Sequence, residues 1–166
     1  MQLSNPALLK QQVFIDGQWV DAADQKSFAV TNPATAQVIA HVPSVSTAQV
    51  EHAVEAADEA LKTWKLTTAK ERSILLKKWY QLMVEHQEDL AIILSTEQGK
   101  SITESRGEIL YGASFIEWFA EEAKRTYGDV IPHDKQGRRL VVIRQPVGVV
   151  AAITPWNFPN AMITRK

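Results

Sequence analysis

The 166-residue sequence contains no cysteine, which excludes disulfides, thiolate metal sites, iron–sulfur clusters and any cysteine nucleophile carried on this chain. It also lacks an excess of either charge, with 18 Lys plus Arg against 19 Asp plus Glu. With a pI near 6.4, nothing electrostatic marks nucleic acid or an anionic membrane as a partner. Long apolar runs are missing from the start of the chain. Ser4, Asn5 and Lys10 break up residues 1–12, which lack the apolar stretch of a secretory signal or membrane span, so the expected location is cytoplasmic. Glycine and proline number only seven each and aromatics make up 8%, a balance that fits neither a collagen-like nor a disordered chain. The length is that of one domain, which on folding would bury roughly 68–70% of its unfolded surface.

What is present falls into strands, then helices, then strands. Val13-Phe14-Ile15 and Gln18-Trp19-Val20 flank Asp16-Gly17, a dipeptide that accepts the positive φ angles of a tight hairpin turn. Phe28 to Val30 and Val38 to Val42 form a second strand pair around Asn32-Pro33-Ala34-Thr35, where Asn-Pro favours a turn. From Ser46 the apolar period changes from two to 3.6. Three capping boxes then announce three helices: Ser46 with Gln49, Thr68 with Glu71, and Ser101 with Glu104, each able to satisfy two orphan N–H groups reciprocally.

The first helix carries Val50, Ala53, Val54, Ala57, Leu61 and Trp64 on one face. The second presents Ile74, Leu75, Trp79, Leu82 and Met83, with a break near His86-Gln87 before Leu90, Ile93 and Leu94 continue the pattern. The third carries Ile109, Ile116, Phe119, Ala120 and Ala123 and is expected to end at Gly128 as its C′ residue. Beyond it lie Arg139 to Arg144 and then Val147 to Ile153, apolar at every position. The latter reads as a strand buried on both faces of a parallel sheet, paired with strands this chain does not contain. Pro159 with Asn160 to Lys166 reads as the opening of a helix without its body or C-cap.

Several patterns carry no chemistry. Gly99-Lys100-Ser101 has the tail of a phosphate-binding loop, but that loop needs a glycine at position 94, which is Leu. No G-x-G-x-x-G occurs. His41, His52, His86 and His133 show no ligand spacing, so no metal site is expected. Glu104, Glu108, Glu117, Glu121 and Glu122 read as a solvated helix face, and Lys135, Arg138, Arg139 and Arg144 as a solvated strand.

Thr154-Pro155-Trp156-Asn157-Phe158-Pro159 sits between the apolar strand and the next helix, where open α/β sheets build ligand crevices. Two prolines stiffen a turn presenting a Trp, an amide and a Phe. A neutral Asn donor aimed into a pocket can stabilise a developing oxyanion; equally, Asn157 can cap the helix starting at Pro159. The residues alone leave both roles open.

The run from Gln145 to Pro159, preceded by Asn32-Pro33-Ala34-Thr35 and Glu97-Gln98-Gly99-Lys100, resembles the signature of the NAD(P)-dependent aldehyde dehydrogenases. Ser114 to Glu122 together with Ala161 to Lys166 is similar to the succinate-semialdehyde dehydrogenases within that family. The resemblance spans the chain from about Val13 onward but well under half of a complete family member. It implies an N-terminal portion of an α/β, aldehyde dehydrogenase-like fold: β-hairpins, three to four helices, then strands of an incomplete parallel sheet and an oligomerisation arm. Residues 1–134 would belong to the cofactor-binding domain, 135–146 to the arm, and 147–166 to the start of the Rossmann-like sheet.

Carried onto this sequence, the resemblance implies that Asn157 is the oxyanion donor and that Ile153, Thr154, Pro155 and Trp156 line NAD or NADP. Phe158 and Tyr111 would border the substrate tunnel, and Arg165 would hold the distal carboxylate of succinic semialdehyde. Guanidinium forks suit that last task; a surface arginine is the alternative. In the family a cysteine thiolate attacks the aldehyde and a glutamate activates water, and neither lies in this chain. It is therefore expected to be inactive alone, with small-molecule aldehyde, nicotinamide cofactor and its own copies as partners of the full-length enzyme. The rival readings are a short non-catalytic interaction protein and a dehydrogenase for another aldehyde.

Overall fold

A computed structural model describes residues 1–166, and the hairpins and helices expected up to Glu122 follow in order. Strands β1 (Val13–Ile15) and β2 (Gln18–Val20) pair antiparallel, and Asp16 and Gly17 take φ of 49° and 75°, the positive pair that a two-residue hairpin turn requires. Strands β3 (Ser27–Thr31) and β4 (Val38–Pro43) form the second hairpin. Its turn is held by the Asn32 side chain, whose Oδ1 accepts from the N–H groups of Ala34 (2.9 Å) and Thr35 (3.3 Å).

Helices α1 (Thr47–Trp64), α2 (Ala69–Glu85), α3 (Gln87–Gln98) and α4 (Ile102–Glu122) follow. Ser46, Thr68 and Ser101 cap α1, α2 and α4, and each makes both bonds of its capping box. The break expected near His86-Gln87 is real: His86 leaves helical geometry (φ −99°, ψ 17°) and serves as both the end of α2 and the start of α3. Gly99 ends α3 in the left-handed region at φ 81°.

Packing centres on α4. One small apolar cluster joins Met83 of α2 to Ala113 and Ile116, with Leu76 and Tyr80 against it; another joins Ala91 and Leu94 of α3 to Ile109. Glu88 of α3 takes Arg106 of α4 in a two-pronged bond, 2.7 Å at each contact. Lys77 of α2 and Lys124 beyond α4 both reach Glu121 and hold its carboxyl down to about 2. These pairs are exposed and add little to stability. The chain's first residues are tied down by buried Asp89, whose two oxygens accept from the Ser4 and Asn5 N–H groups at 2.8 Å each.

Four expectations need correcting. The buried side of α2 runs through Ser73, Leu76, Tyr80 and Met83, not the stripe of Ile74, Leu75, Trp79 and Leu82, which is exposed. The helix is apolar on two stripes and α4 covers only one. The face expected on α1 forms but buries no residue. The α4 helix ends at Glu122, followed by a single 3-10 turn through Arg125, so Gly128 is not its C′ residue. Gly128 instead starts a hairpin of β5 (Asp129–Pro132, not anticipated) and β6 (Arg139–Val142), where a Cβ would sit 1.8 Å from the Val142 carbonyl oxygen. Finally, Val147 to Ile153 forms no strand and no parallel sheet exists: the three sheets are separate two-stranded hairpins. A strand needs a neighbour to satisfy its N–H and C=O groups, and nothing in this chain supplies one.

The expected compact burial also fails. A compact monomer of 18.6 kDa exposes about 8,200 Å², whereas this chain exposes 12015 Å² and buries 17 of its 166 residues. Many large apolar side chains are among what stays exposed, with Val147 and Ile153 at 93% and 99%. The β5–β6 hairpin is likewise exposed at every residue. Isolated hairpins are marginal, and forcing a side chain against backbone costs ~1–3 kcal/mol. Gly128→Ala is therefore expected to open this hairpin, abolishing amide-exchange protection in 129–132 and 139–142 while leaving α2–α4 protected.

Candidate functional site

The site begins with an irregular segment, Arg144 to Phe158, leading into the short helix α5 (Pro159–Thr164). No backbone group of residues 145–156 makes a hydrogen bond within the chain; the first tie is the Asn157 carbonyl, which accepts from Lys100 Nζ at 3.0 Å. Pro159 opens α5 with its φ already suited to a first turn.

The cap of α5 decides what Asn157 is free to do. Its N-cap position is Phe158, and no side chain of the N-cap supplies an acceptor. The acceptor comes from α4, where Glu108 Oε1 takes the N–H of Asn160 at 2.9 Å and that of Ala161 at 3.4 Å. A carboxylate is the favoured group at the positive end of a helix dipole. Asn157 is exposed and its side-chain amide makes no hydrogen bond. The capping role left open by the residues is thus taken by another group, and the Asn157 amide is free for a ligand.

Glu108 is buried, with its side chain at 1% exposure, and its Oε2 lies 2.5 Å from the ammonium of Lys100, itself at 12%. The same ammonium stands 4.2 Å from the centroid of the Phe158 ring. Its three N–H bonds therefore have three acceptors: a carboxylate, a carbonyl and an aromatic face. Glu108 was expected on a solvated face and Lys100 within a failed phosphate loop; both instead hold the turn. Gly112, one helical turn beyond Glu108, lets α5 close on α4, since a Cβ there would meet Asn160 Oδ1 at 2.0 Å.

Lys100, Glu104, Gly107, Glu108, Tyr111 and Phe158 surround one hollow of about 290 Å³, which places Tyr111 and Phe158 on the wall of the same space. Tyr111 packs edge-on against Phe115 at 4.8 Å between centroids. Ile153 and Trp156 are 99% and 80% exposed, Pro155 is exposed and Thr154 half-exposed. Arg165, at the C-cap of α5, is exposed and joins no ion pair. It is not among the residues lining the hollow. The segments Asn32-Pro33 and Gly99-Lys100, distant in sequence, touch: a Cβ on Gly99 would lie 2.8 Å from Pro33 Cγ.

The family model described as aldehyde dehydrogenase family matches residues 19–166. This chain belongs to the aldehyde dehydrogenase family. Over all 166 residues it is 58% identical to a glutarate-semialdehyde dehydrogenase of Pseudomonas putida, of which it covers 35%. It is 52% identical over the same length to an Escherichia coli succinate-semialdehyde dehydrogenase named for NADP(+), of which it covers 34%. A crystal structure of an aldehyde dehydrogenase from Brucella melitensis biovar abortus matches all of the chain with a TM-score of 0.98 at 57% identity, again over 34% of that chain. The chain thus spans about a third of the length of these relatives, and its α/β fold is the corresponding part of the aldehyde dehydrogenase fold. No helix in it is long and apolar enough to cross a membrane.

Within the family frame, Lys100 and Glu108 are what sequence reasoning missed. One signal was available. Glu108 lies four residues after Glu104 on a helix that also buries Ser105, Ile109 and Gly112, so a carboxylate at 108 falls on the edge of the packed face rather than on the wet one.

Proposed function

We propose that this chain forms part of an NAD- or NADP-dependent dehydrogenase that oxidises an aldehyde bearing a distal carboxylate, with succinic semialdehyde the first substrate to test. The observation that carries the proposal is the freed amide of Asn157: Glu108 caps α5, leaving an uncharged two-proton donor at the mouth of the turn. Such a donor favours the oxyanion that develops as a nucleophile adds to the aldehyde carbonyl, and adds no competing charge.

The residues assigned to the cofactor suit one part of it. Ile153 and Trp156 offer uncovered apolar faces, and the backbone of 153–156 has donors and acceptors unused by the chain. Together they match a flat ring with a carboxamide, and no cation among them suits a phosphate. The nicotinamide supplies the hydride acceptor when bound. Ile153 to Trp156 orient its ring, Phe158 and Tyr111 keep water from the hollow, and Arg165 holds the far carboxylate. The cysteine nucleophile and the glutamate base come from outside these 166 residues. Residues 1–134 and 147–166 are assigned to the cofactor-binding domain, and 135–146 to an arm pairing with another copy, supported by the exposed Arg139–Val142 strand.

The test is to assay the product of the entire open frame that encodes this chain, with succinic semialdehyde and NAD or NADP, following the reduced nicotinamide. The purified 166-residue chain is expected to give no turnover, because it carries no thiol. Turnover by that chain would overturn the assigned mechanism; a full product inactive on every aldehyde would favour the non-catalytic reading.

A further inference from the structure

We propose that Lys100 and Glu108 are a positioning pair, each with a second task, that sets the direction of the Asn157–Phe158 turn from the start of α4. Lys100 holds the turn by the Asn157 carbonyl and the Phe158 ring, and Glu108 holds the first turn of α5 by two amides. The two grips are joined by the 2.5 Å contact between the side chains. A buried charge left without its partner is strongly unfavourable, so the ion pair keeps both side chains in place. The rigid reference is α4, whose packed face carries both apolar clusters. Residues 145–156 make no hydrogen bond of their own, so the turn has no other polar tether on that side. An oxyanion donor works only when aimed before the charge develops. The pair does not touch the substrate; it acts through Asn157, and its catalytic meaning rests on the reading of Asn157 given above.

An ordinary ion pair and this one respond differently to exchange of the charges. In the swapped variant K100E/E108K, a carboxylate faces the Asn157 carbonyl and an ammonium faces the Asn160 and Ala161 N–H groups. The ion pair survives and both grips are lost. The experiment is NMR of the 166-residue chain. Lys100→Met is expected to shift and broaden the Asn157 and Phe158 signals while the α4 amides away from Glu108 stay protected. Glu108→Gln keeps an acceptor oxygen but not its charge, and is expected to speed exchange at Asn160 and Ala161 by about tenfold, the difference between a charge-assisted and a neutral hydrogen bond.

The swap is expected to restore neither signal; restoration of both, or Asn157 and Phe158 signals indifferent to Lys100→Met, overturns the proposal. If Lys100→Met also unfolds α4, Glu108→Gln carries the test through the exchange rates alone. In the aldehyde-oxidising product, K100M combined with N157A should lose no more activity than N157A by itself. A further loss of about tenfold would place the action of Lys100 elsewhere. The NMR signals report geometry without substrate, so they can fail while Asn157 retains its role, and the kcat of N157A can fail while the geometry holds.

Discussion

Replacing Asn157 by Ala in the product of the entire open frame is expected to lower kcat for aldehyde oxidation by on the order of 10²–10³-fold, with KM changed only slightly, as when one preorganised oxyanion donor is removed. The separation of kcat from KM follows from where the amide acts. It is unbonded in the chain, so it contributes little to folding, and the partner proposed for it is a charge that exists only as the reaction proceeds. Thermal stability should therefore stay unchanged. Asn157→Asp keeps the size but replaces two donors by a negative charge, and should be at least as damaging, since that charge repels the developing oxyanion. An unaltered kcat in the Ala variant would remove Asn157 from the reaction.

Much of the frame could be read before any coordinates. The capping boxes at Ser46, Thr68 and Ser101 place three helix starts, because a hydroxyl and a carboxylate or amide three residues apart satisfy local N–H groups whatever the tertiary fold does. Asp16-Gly17 is equally local. What failed depends on who covers what. The α2 stripe through Ile74 and Trp79 is as apolar as the one through Leu76 and Met83, and only the position of α4 selects between them. The strand expected at Val147–Ile153 has the composition of a buried strand but lacks a neighbour. At the site the turn was legible and its supports were not. Glu108 looks like any other helix-surface glutamate until α5 folds back over it, a contact spanning more than fifty residues of chain, and only that contact resolves whether Asn157 caps or is free.

Arg165→Ala is expected to raise KM for succinic semialdehyde by on the order of 10–100-fold, because a charge-assisted bond is worth ~1.5–3 kcal/mol once water is excluded. An uncharged aldehyde of equal length should be affected only slightly. The size of the effect discriminates between the two possible states of this residue. Arg165 is exposed and unpaired in the chain; if it stayed so with substrate bound, a single carboxylate contact would be worth no more than about 1 kcal/mol, roughly fivefold in KM. A larger change requires that substrate and the remainder of the site bury the guanidinium. Arg165→Lys keeps the charge but not the planar fork, so it should recover only part of the lost affinity. Should both aldehydes suffer equally, Arg165 is a surface arginine at the end of α5, and selection for a distal carboxylate must come from another cation.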